Sequence, residues 1–500
     1  MSFAQVYTRS VVGLNAPSVM VEVHLSQGLP AVTIVGLPEA AVRESKDRVR
    51  SAIINAGFSF PNRRLTINLA PADLPKDGAR LDLPIAIGIL AASGQLDDSQ
   101  LAGYELIGEL ALNGELRPVT GALAVARAIK TDNKQPRQLI LPLANAQEAA
   151  QVDGVSALPA EHLKTVCQHL QGDTSINPAV HRAHYQVNHY RVDLADVKGQ
   201  QQARRALEIA AAGGHSLLFC GAPGTGKTLL ASRLPTILPP LSDDEALEVA
   251  SIYSVANADY AYGTRPFRQI HHTTSAVALV GGGSSPRPGE ITLANQGVLF
   301  LDEIAEFDRK VLEVLRQPIE SKKITISRAN SQVDFPANFQ LVAAMNPCPC
   351  GYYGDPSGRC QCRPEQIRRY QDKLSGPLLD RIDIHLTVPA LPASDLQNAQ
   401  PGEPSAHVRA RVLAAYQRQQ TRQGKPNSEL TPNELDQFAG LGEAQARLLA
   451  MAQQRLNLSA RGYHRVLRVA RTIADLADSA AIDTPHLTEA LGYRSQLANA

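Results

Sequence analysis

Over the first third of the chain, apolar and polar positions alternate in short β-branched runs, VMVEVHL, PAVTIVGL, RLTINLA and QLILPL. Between these runs lie longer stretches with a helical apolar period, EAAVRESKDRVRSAIINAGF and LDLPIAIGILAASG. The first pattern suits half-buried strands and the second suits helices, so residues 1–170 are expected to form an α/β domain. The polar stretch 171–192 has Asn, Pro and several His but no sustained apolar period, and reads as a linker. From residue 193 to 390 helical and strand patterns alternate again, as in a parallel-sheet domain. A seam rich in Pro, Ser and Asn follows at 391–404, and residues 405–500 are helical in pattern almost throughout, as in HVRARVLAAYQRQQ and EAQARLLAMAQQRLN.

Composition adds limits. At 500 residues and 44% hydrophobic content the chain has material for about three cores. The net charge is +1, so nucleic-acid contacts would have to come from a local basic surface. No apolar h-region follows the first residues, and the longest apolar stretch, around Leu83 to Ala92, falls far short of the roughly twenty residues that span a bilayer. These features lead us to expect a soluble, cytoplasmic protein.

The chemistry concentrates in the central segment. Gly221, Ala222, Pro223, Gly224, Thr225, Gly226, Lys227 and Thr228 spell GAPGTGKT between a strand-like run, HSLLFC, and a helical one, LLASRLPTIL. Glycines let such a loop turn its N–H groups toward a polyphosphate at the start of the next helix. In that pattern Lys227 reaches the β/γ-phosphates of ATP and Thr228 holds Mg²⁺, whereas a Gly-rich turn without ligand is the bland alternative. Downstream, GVLFLDEI is an apolar strand ending in Asp302, suited to the Mg²⁺ shell, and Glu303, suited to activating water. A second strand, FQLVAAMN, ends in Asn346, which could position the water or merely cap the strand. In SGPLLDRIDIHL, Arg381 is placed either to enter a neighbouring subunit's ATP site or to pair with Asp380 or Asp383.

Taken in order, DVKGQ, GAPGTGKT, GVLFLDEI, AAMN and LLDRID resemble the AAA+ ATPases of the magnesium-chelatase clade, and the ComM (YifB-type) branch most closely, over essentially the whole chain. The resemblance implies a multidomain α/β fold with an AAA+ P-loop core, a C-terminal helical lid domain and a homo-hexameric ring with ATP at subunit interfaces. It assigns Asn346 as sensor 1, Arg381 as the arginine finger and Arg465 as sensor 2, with Arg461 a close rival for the last role. The activity it implies is ATP-driven branch migration and helicase action on DNA during recombination in natural transformation.

The segment VALVGGGSSPRPGEITLANQG resembles the helix-2 insertion of this clade, with Gly281 to Gly283 supplying flexibility and Arg287 a charge, and KKITISRANSQVDFP resembles the pre-sensor-1 hairpin. Lys322, Lys323 and Arg328 could touch DNA phosphates there, or form an ordinary solvated face. The N-terminal domain resembles the proteolytic domain of Lon, of the ribosomal protein S5 domain 2-like kind, but departs from it where catalysis would sit. PKDGARLD puts Arg80 in the place of the serine nucleophile, and PVTGAL puts Leu123 in the place of the lysine. Without a hydroxyl and an amine no Ser-Lys chemistry is expected, and Arg80 offers a charge toward DNA instead.

Four of the six cysteines, Cys348, Cys350, Cys360 and Cys362, form two C-x-C pairs in NPCPCGYYGDPSGRCQC. The set suits a structural Zn²⁺ site, with reduced thiols or a redox disulfide as alternatives. His271 and His272 have no partner at ligand spacing and receive no role. Two further function classes stay open: a chelatase-type remodeler of a protein or tetrapyrrole complex, and an ATP-dependent protease, which Arg80 and Leu123 disfavour.

Overall fold

The computed structural model describes residues 2–38, 40–74, 76, 78–132, 137–180, 190–283, 286–328, 331–355, 358–391 and 400–494. The chain divides into two compact units, one of residues 1–185 with 246–262, the other of 186–245 with 263–500.

The first unit is built on a seven-stranded mixed sheet. Strands Phe3–Arg9, Ser18–Ser26 and Arg64–Ala70 pair antiparallel, in register with their alternating burial. Tyr104–Leu106, Gln138–Pro142 and Ala157–Ala160 extend the sheet in parallel. Helix Asp82–Ala92 is buried along its whole length, as its near-continuous apolar sequence demands. Arg80 lies on a 3₁₀ turn and donates to Thr120 Oγ1 at 3.3 Å, and Leu123 is fully buried in helix Ala122–Thr131. Arg80 thus presents a guanidinium and Leu123 an apolar side chain, and neither supplies the hydroxyl or the amine of Ser-Lys chemistry. Residues 246–262 lie within the 193–390 segment but pack here: Leu247 joins a cluster with Leu123, Val125 and Leu139, and Arg127 donates to Ser251 Oγ at 3.2 Å.

The second unit carries a five-stranded sheet that is parallel throughout, in the order Phe267–Ile270, Val298–Leu301, Gln340–Met345, Leu217–Cys220, Ile384–Thr387. Its central strands are apolar and buried on both faces, the signature of a sheet covered by helices. The helical segment 405–494 packs into the same unit. Helix Ala460–Leu476 lies against Gln201–Gly213 and Ser405–Gln423, and one continuous apolar core runs from the sheet to Leu487. A buried polar network makes the same link: His215 Nε2 meets Thr472 Oγ1 at 2.7 Å, and Asn427 donates to Thr472 at 3.0 Å and to Asp475 at 2.8 Å. Every buried polar atom in such a network needs a partner, so it fixes one packing of helices on sheet.

Candidate ATP site

Strand order determines what meets at the carboxyl edge of this sheet. Leu217–Cys220 runs into the Gly-rich loop, its neighbour Gln340–Met345 runs into Asn346, and the next strand, Val298–Leu301, runs into Asp302 and Glu303. Adjacent strands lie about 4.8 Å apart, so three strand ends place the Gly-rich loop, Asn346, Asp302 and Glu303 within one side chain's reach. Gly224 and Gly226 adopt left-handed φ values of 81° and 89°, and the helix Lys227–Arg233 begins directly after them. The turn that opens N–H groups toward a phosphate is thus present at the two positions where glycine makes it inexpensive.

The side chains are already organised around the loop. Lys227 Nζ donates to Gly221 O at 2.6 Å, to Ala222 O at 3.0 Å and to Asn346 Oδ1 at 3.1 Å. Burial lowers the pKa of the amine, against the opposing pull of Cys220, Asp302 and Glu303. Thr228 Oγ1 donates to Asp302 Oδ2 at 2.8 Å, so the two oxygens that would share a Mg²⁺ ion are side by side. Glu303 has a left-handed φ of 52°, a strained conformation for a residue with a side chain, and its carboxylate is exposed at the head of the crevice.

Sequence reasoning passed over His272, whose Nδ1 lies 3.5 Å from Glu303 Oε2. The register explains it: Ile270 pairs with Leu301, so the second residue past each strand end falls opposite the other. His271 stacks on His272 at 4.1 Å between ring centroids and bonds Thr273 Oγ1 at 2.9 Å.

The four cysteines follow Asn346 directly. Their sulfurs all lie within 4.8 Å of one another, with Cys348–Cys350 at 3.3 Å, Cys350–Cys360 at 3.6 Å and Cys348–Cys360 at 3.8 Å. None is joined in a disulfide. A tetrahedron with Zn–S arms of about 2.3 Å has edges of about 3.8 Å, so the donor set fits a zinc ion. The Tyr352 backbone N–H brings the Cys350 thiol down to about 6, while Cys360 and Cys362, beside the other sulfurs, are raised, so the cluster favours one thiolate and not four unless a cation joins it. This loop also touches the phosphate loop: Gly351, with φ 87°, sits so close to Pro223 that a Cβ there would lie 2.6 Å from its Cδ.

Arg381 and Arg465 line a separate cavity of about 610 Å³ in the same unit, with Glu320, Lys322, Arg461 and Arg468. Residues 221–228 do not line it. Arg381 Nη2 pairs with Glu320 Oε1 at 2.6 Å, not with the neighbouring aspartates, and Asp383 takes Arg465 instead. The expected hairpins are both formed. Gly282 pairs antiparallel with Arg287, whose side chain is exposed, and Lys323–Arg328 pairs with Ser331–Pro336. Lys322 is paired with Glu429, and Lys323 lies 3.7 Å from Asp334. The Arg328 side chain, residues 284–285 and residues 329–330 lie outside the described residues.

Three family models match: "Magnesium chelatase, subunit ChlI" over residues 193–396, "Subunit ChlI of Mg-chelatase" over 21–145, and "Magnesium chelatase, subunit ChlI C-terminal" over 402–494. The chain is 51% identical to the competence protein ComM of Haemophilus influenzae, covering 99% of this chain and 98% of that one. It is 51% identical to YifB of Escherichia coli, over 99% and 97% of the two chains. The magnesium-chelatase 38 kDa subunit of Rhodobacter capsulatus is 25% identical and matches 60% of this chain and 86% of its own. No helix among the described residues is long and apolar enough to cross a membrane. Identity of this extent, together with a nucleotide-type sheet and loop, settles the relationship: the chain belongs to the ComM (YifB-type) family of magnesium-chelatase-like AAA+ ATPases.

Proposed function

We propose that this protein is an ATP-dependent hexameric motor that migrates and unwinds branched DNA, acting in homologous recombination during natural transformation. The observation that carries the reading is its 51% identity, along nearly its whole length, to a protein named for competence. ATPase activity is what the family supports, and the residues of this chain suit it.

In this reading Lys227 binds the β/γ-phosphates, and its present hold on two carbonyls and Asn346 is exchanged for phosphate oxygens. Thr228 and Asp302 hold Mg²⁺, which when bound offsets the charge on the phosphates. Glu303 takes the proton of the attacking water, and Asn346 orients that water. Arg381 acts on the nucleotide of the next subunit and Arg465 serves as sensor 2; the cavity that Arg381 lines contains none of the phosphate-loop residues, which supports service of the finger in trans. A finger of this kind contributes about three to five orders of magnitude in rate. Arg287, Lys322, Lys323 and Arg328 are the proposed phosphate contacts on the two hairpins, and Cys348, Cys350, Cys360 and Cys362 bind structural zinc. The Lon-like segment, residues 1–170, serves as a scaffold without protease activity, and the protein works in the cytoplasm.

The match to three magnesium-chelatase family models favours a second reading, a chelatase-type remodeler of a protein or tetrapyrrole complex. The chelatase subunit, however, matches only 60% of this chain. The deciding experiment is strand displacement and ATP turnover on forked and four-way DNA. Wild type should resolve the branches and hydrolyse ATP faster with them, and Lys227→Ala and Glu303→Gln should do neither. If branched DNA neither binds nor stimulates turnover at low salt, the motor reading fails.

A further inference from the structure

Two of the arginines that line the 610 Å³ cavity, Arg381 and Arg465, are held in physically different ways. Arg465 rests on Asp383, a carboxylate only 5% exposed that also receives the Ser216 N–H at 3.1 Å and lies 3.4 Å from His215. Burial alone would raise the Asp383 pKa, but Arg465, His215 and Arg494 hold it well below the ordinary carboxylate range. Both partners of that pair are inside, and removing either strands the other, so it is a fixed joint.

Arg381 is 6% exposed, yet its partner Glu320 keeps 52% of its side chain in water. If the pair opens, water accepts the carboxylate at little cost. The cost falls on Arg381, whose charge would stay buried with the Pro377 carbonyl, 2.7 Å from Nη1, as its remaining acceptor and no counter-charge unless another anion replaced Glu320. Room for such an anion exists in the cavity, and Arg381 Nε is buried with no acceptor among the described residues.

Glu320 also has a mechanical neighbour. Helix Arg316–Ser321 ends at Lys322, in left-handed conformation, and the hairpin Lys323–Pro336 starts at once. Ser321 Oγ lies 3.0 Å from Gln317 O and 2.9 Å from Lys323 O, so its single proton can serve either carbonyl, and the Ala337 N–H donates to Lys322 O at 2.8 Å. The end of the helix and both feet of the hairpin are thus one hydrogen-bonded piece.

We infer that Glu320 is a releasable latch on Arg381: it holds the guanidinium in the resting chain, and load on the Lys323–Pro336 hairpin withdraws it so that Arg381 can take a phosphate oxygen of ATP bound to a second copy of this chain. The inference rests on the reading of Arg381 as a residue serving the neighbouring copy and of the hairpin as a DNA contact. Glu320 is a positioning residue, and the latch makes ATP turnover conditional on an occupied hairpin.

The test compares ATP turnover of full-length wild type, Glu320→Gln, Glu320→Asp and Arg381→Ala, each with and without a forked DNA oligonucleotide. Glu320→Gln should raise the DNA-free rate several-fold toward the DNA-stimulated one while leaving the stimulated rate in place, so that the ratio of the two falls toward one. Glu320→Asp keeps the charge but shortens its reach, and should move the same way by less. A Glu320→Gln protein that is slower in both conditions, or that keeps the wild-type DNA-free rate and ratio, overturns the latch; should that variant not fold, Glu320→Asp decides by the same criteria. Wild-type turnover in Arg381→Ala overturns the reading of Arg381 instead. Absent DNA stimulation of wild type overturns the DNA reading, and the DNA-free comparison then judges the latch.

Discussion

Lys227 and Asn346 are joined by a 3.1 Å hydrogen bond that links the phosphate loop to the end of the neighbouring strand. The amide that would orient water therefore also defines where the lysine rests before nucleotide arrives. Asn346→Ala should lower kcat on the order of 10²-fold. Nucleotide affinity should change little, since the phosphates themselves replace the lost acceptor. Single-turnover hydrolysis beside equilibrium binding of a fluorescent ATP analogue separates the two, and an unaltered kcat would remove Asn346 from the mechanism.

Gly351 stands where the cysteine loop meets Pro223 of the phosphate loop. Gly351→Ala forces a left-handed alanine, at about 1–2 kcal/mol, and drives its methyl into the proline ring. ATP affinity should fall in this variant although no phosphate-contacting group has changed. If calorimetry shows wild-type affinity, the contact has no bearing on the loop's shape.

The sulfur spacing predicts one zinc per chain in protein purified without chelator, read by atomic emission. Cys360→Ser should lose the metal and lower the thermal midpoint, because a small loop without its own core depends on such a staple. Equal midpoints before and after prolonged chelation, with no metal found, would leave the cysteines as reduced thiols.

His385 sits on the edge strand Ile384–Thr387, where burial, reinforced by Arg494, pushes its pKa down to about 3. It is neutral in the fold and titrates near 6.5 when unfolded, so its contribution is fully present above about pH 6.5 and is lost as pH falls toward 3. From pH 7.5 to 5 the loss amounts to about 2 kcal/mol. Asp383 acts with the same sign, but only below about pH 4. Hydrogen exchange of the strand should show wild type opening more readily at pH 5, and His385→Gln should abolish most of that difference.

What the sequence disclosed and what it hid follow the range of the interactions. The phosphate loop is a local device, made by glycines a few residues apart, and GAPGTGKT announces it. Asp302, Glu303 and Asn346 were legible because each ends an apolar run, and strand ends of a parallel sheet meet ligands. His272 was not, since its place beside Glu303 depends on the register between Phe267–Ile270 and Val298–Leu301. The partner of Arg381 was hidden for a similar reason: the adjacent aspartates looked like obvious candidates, but packing brings in Glu320 from a distant helix. Helix Asp243–Ala256 is a further case, because nothing local in DDEALEVASIYSVA says which core receives it.

That helix has a practical consequence. Because residues 246–262 leave the ATPase segment to complete the packing around Leu123 and Leu139, the chain passes between its two units three times rather than once. A fragment stopped at residue 185 would begin life with Leu247, Ala250 and Tyr262 missing from its interior, and an ATPase fragment started at 186 would carry an orphaned greasy loop. Neither part is a cassette. Inheritance, truncation or grafting must treat the scaffold and the engine as a single stitched object, and an insertion between them has no neutral place to go.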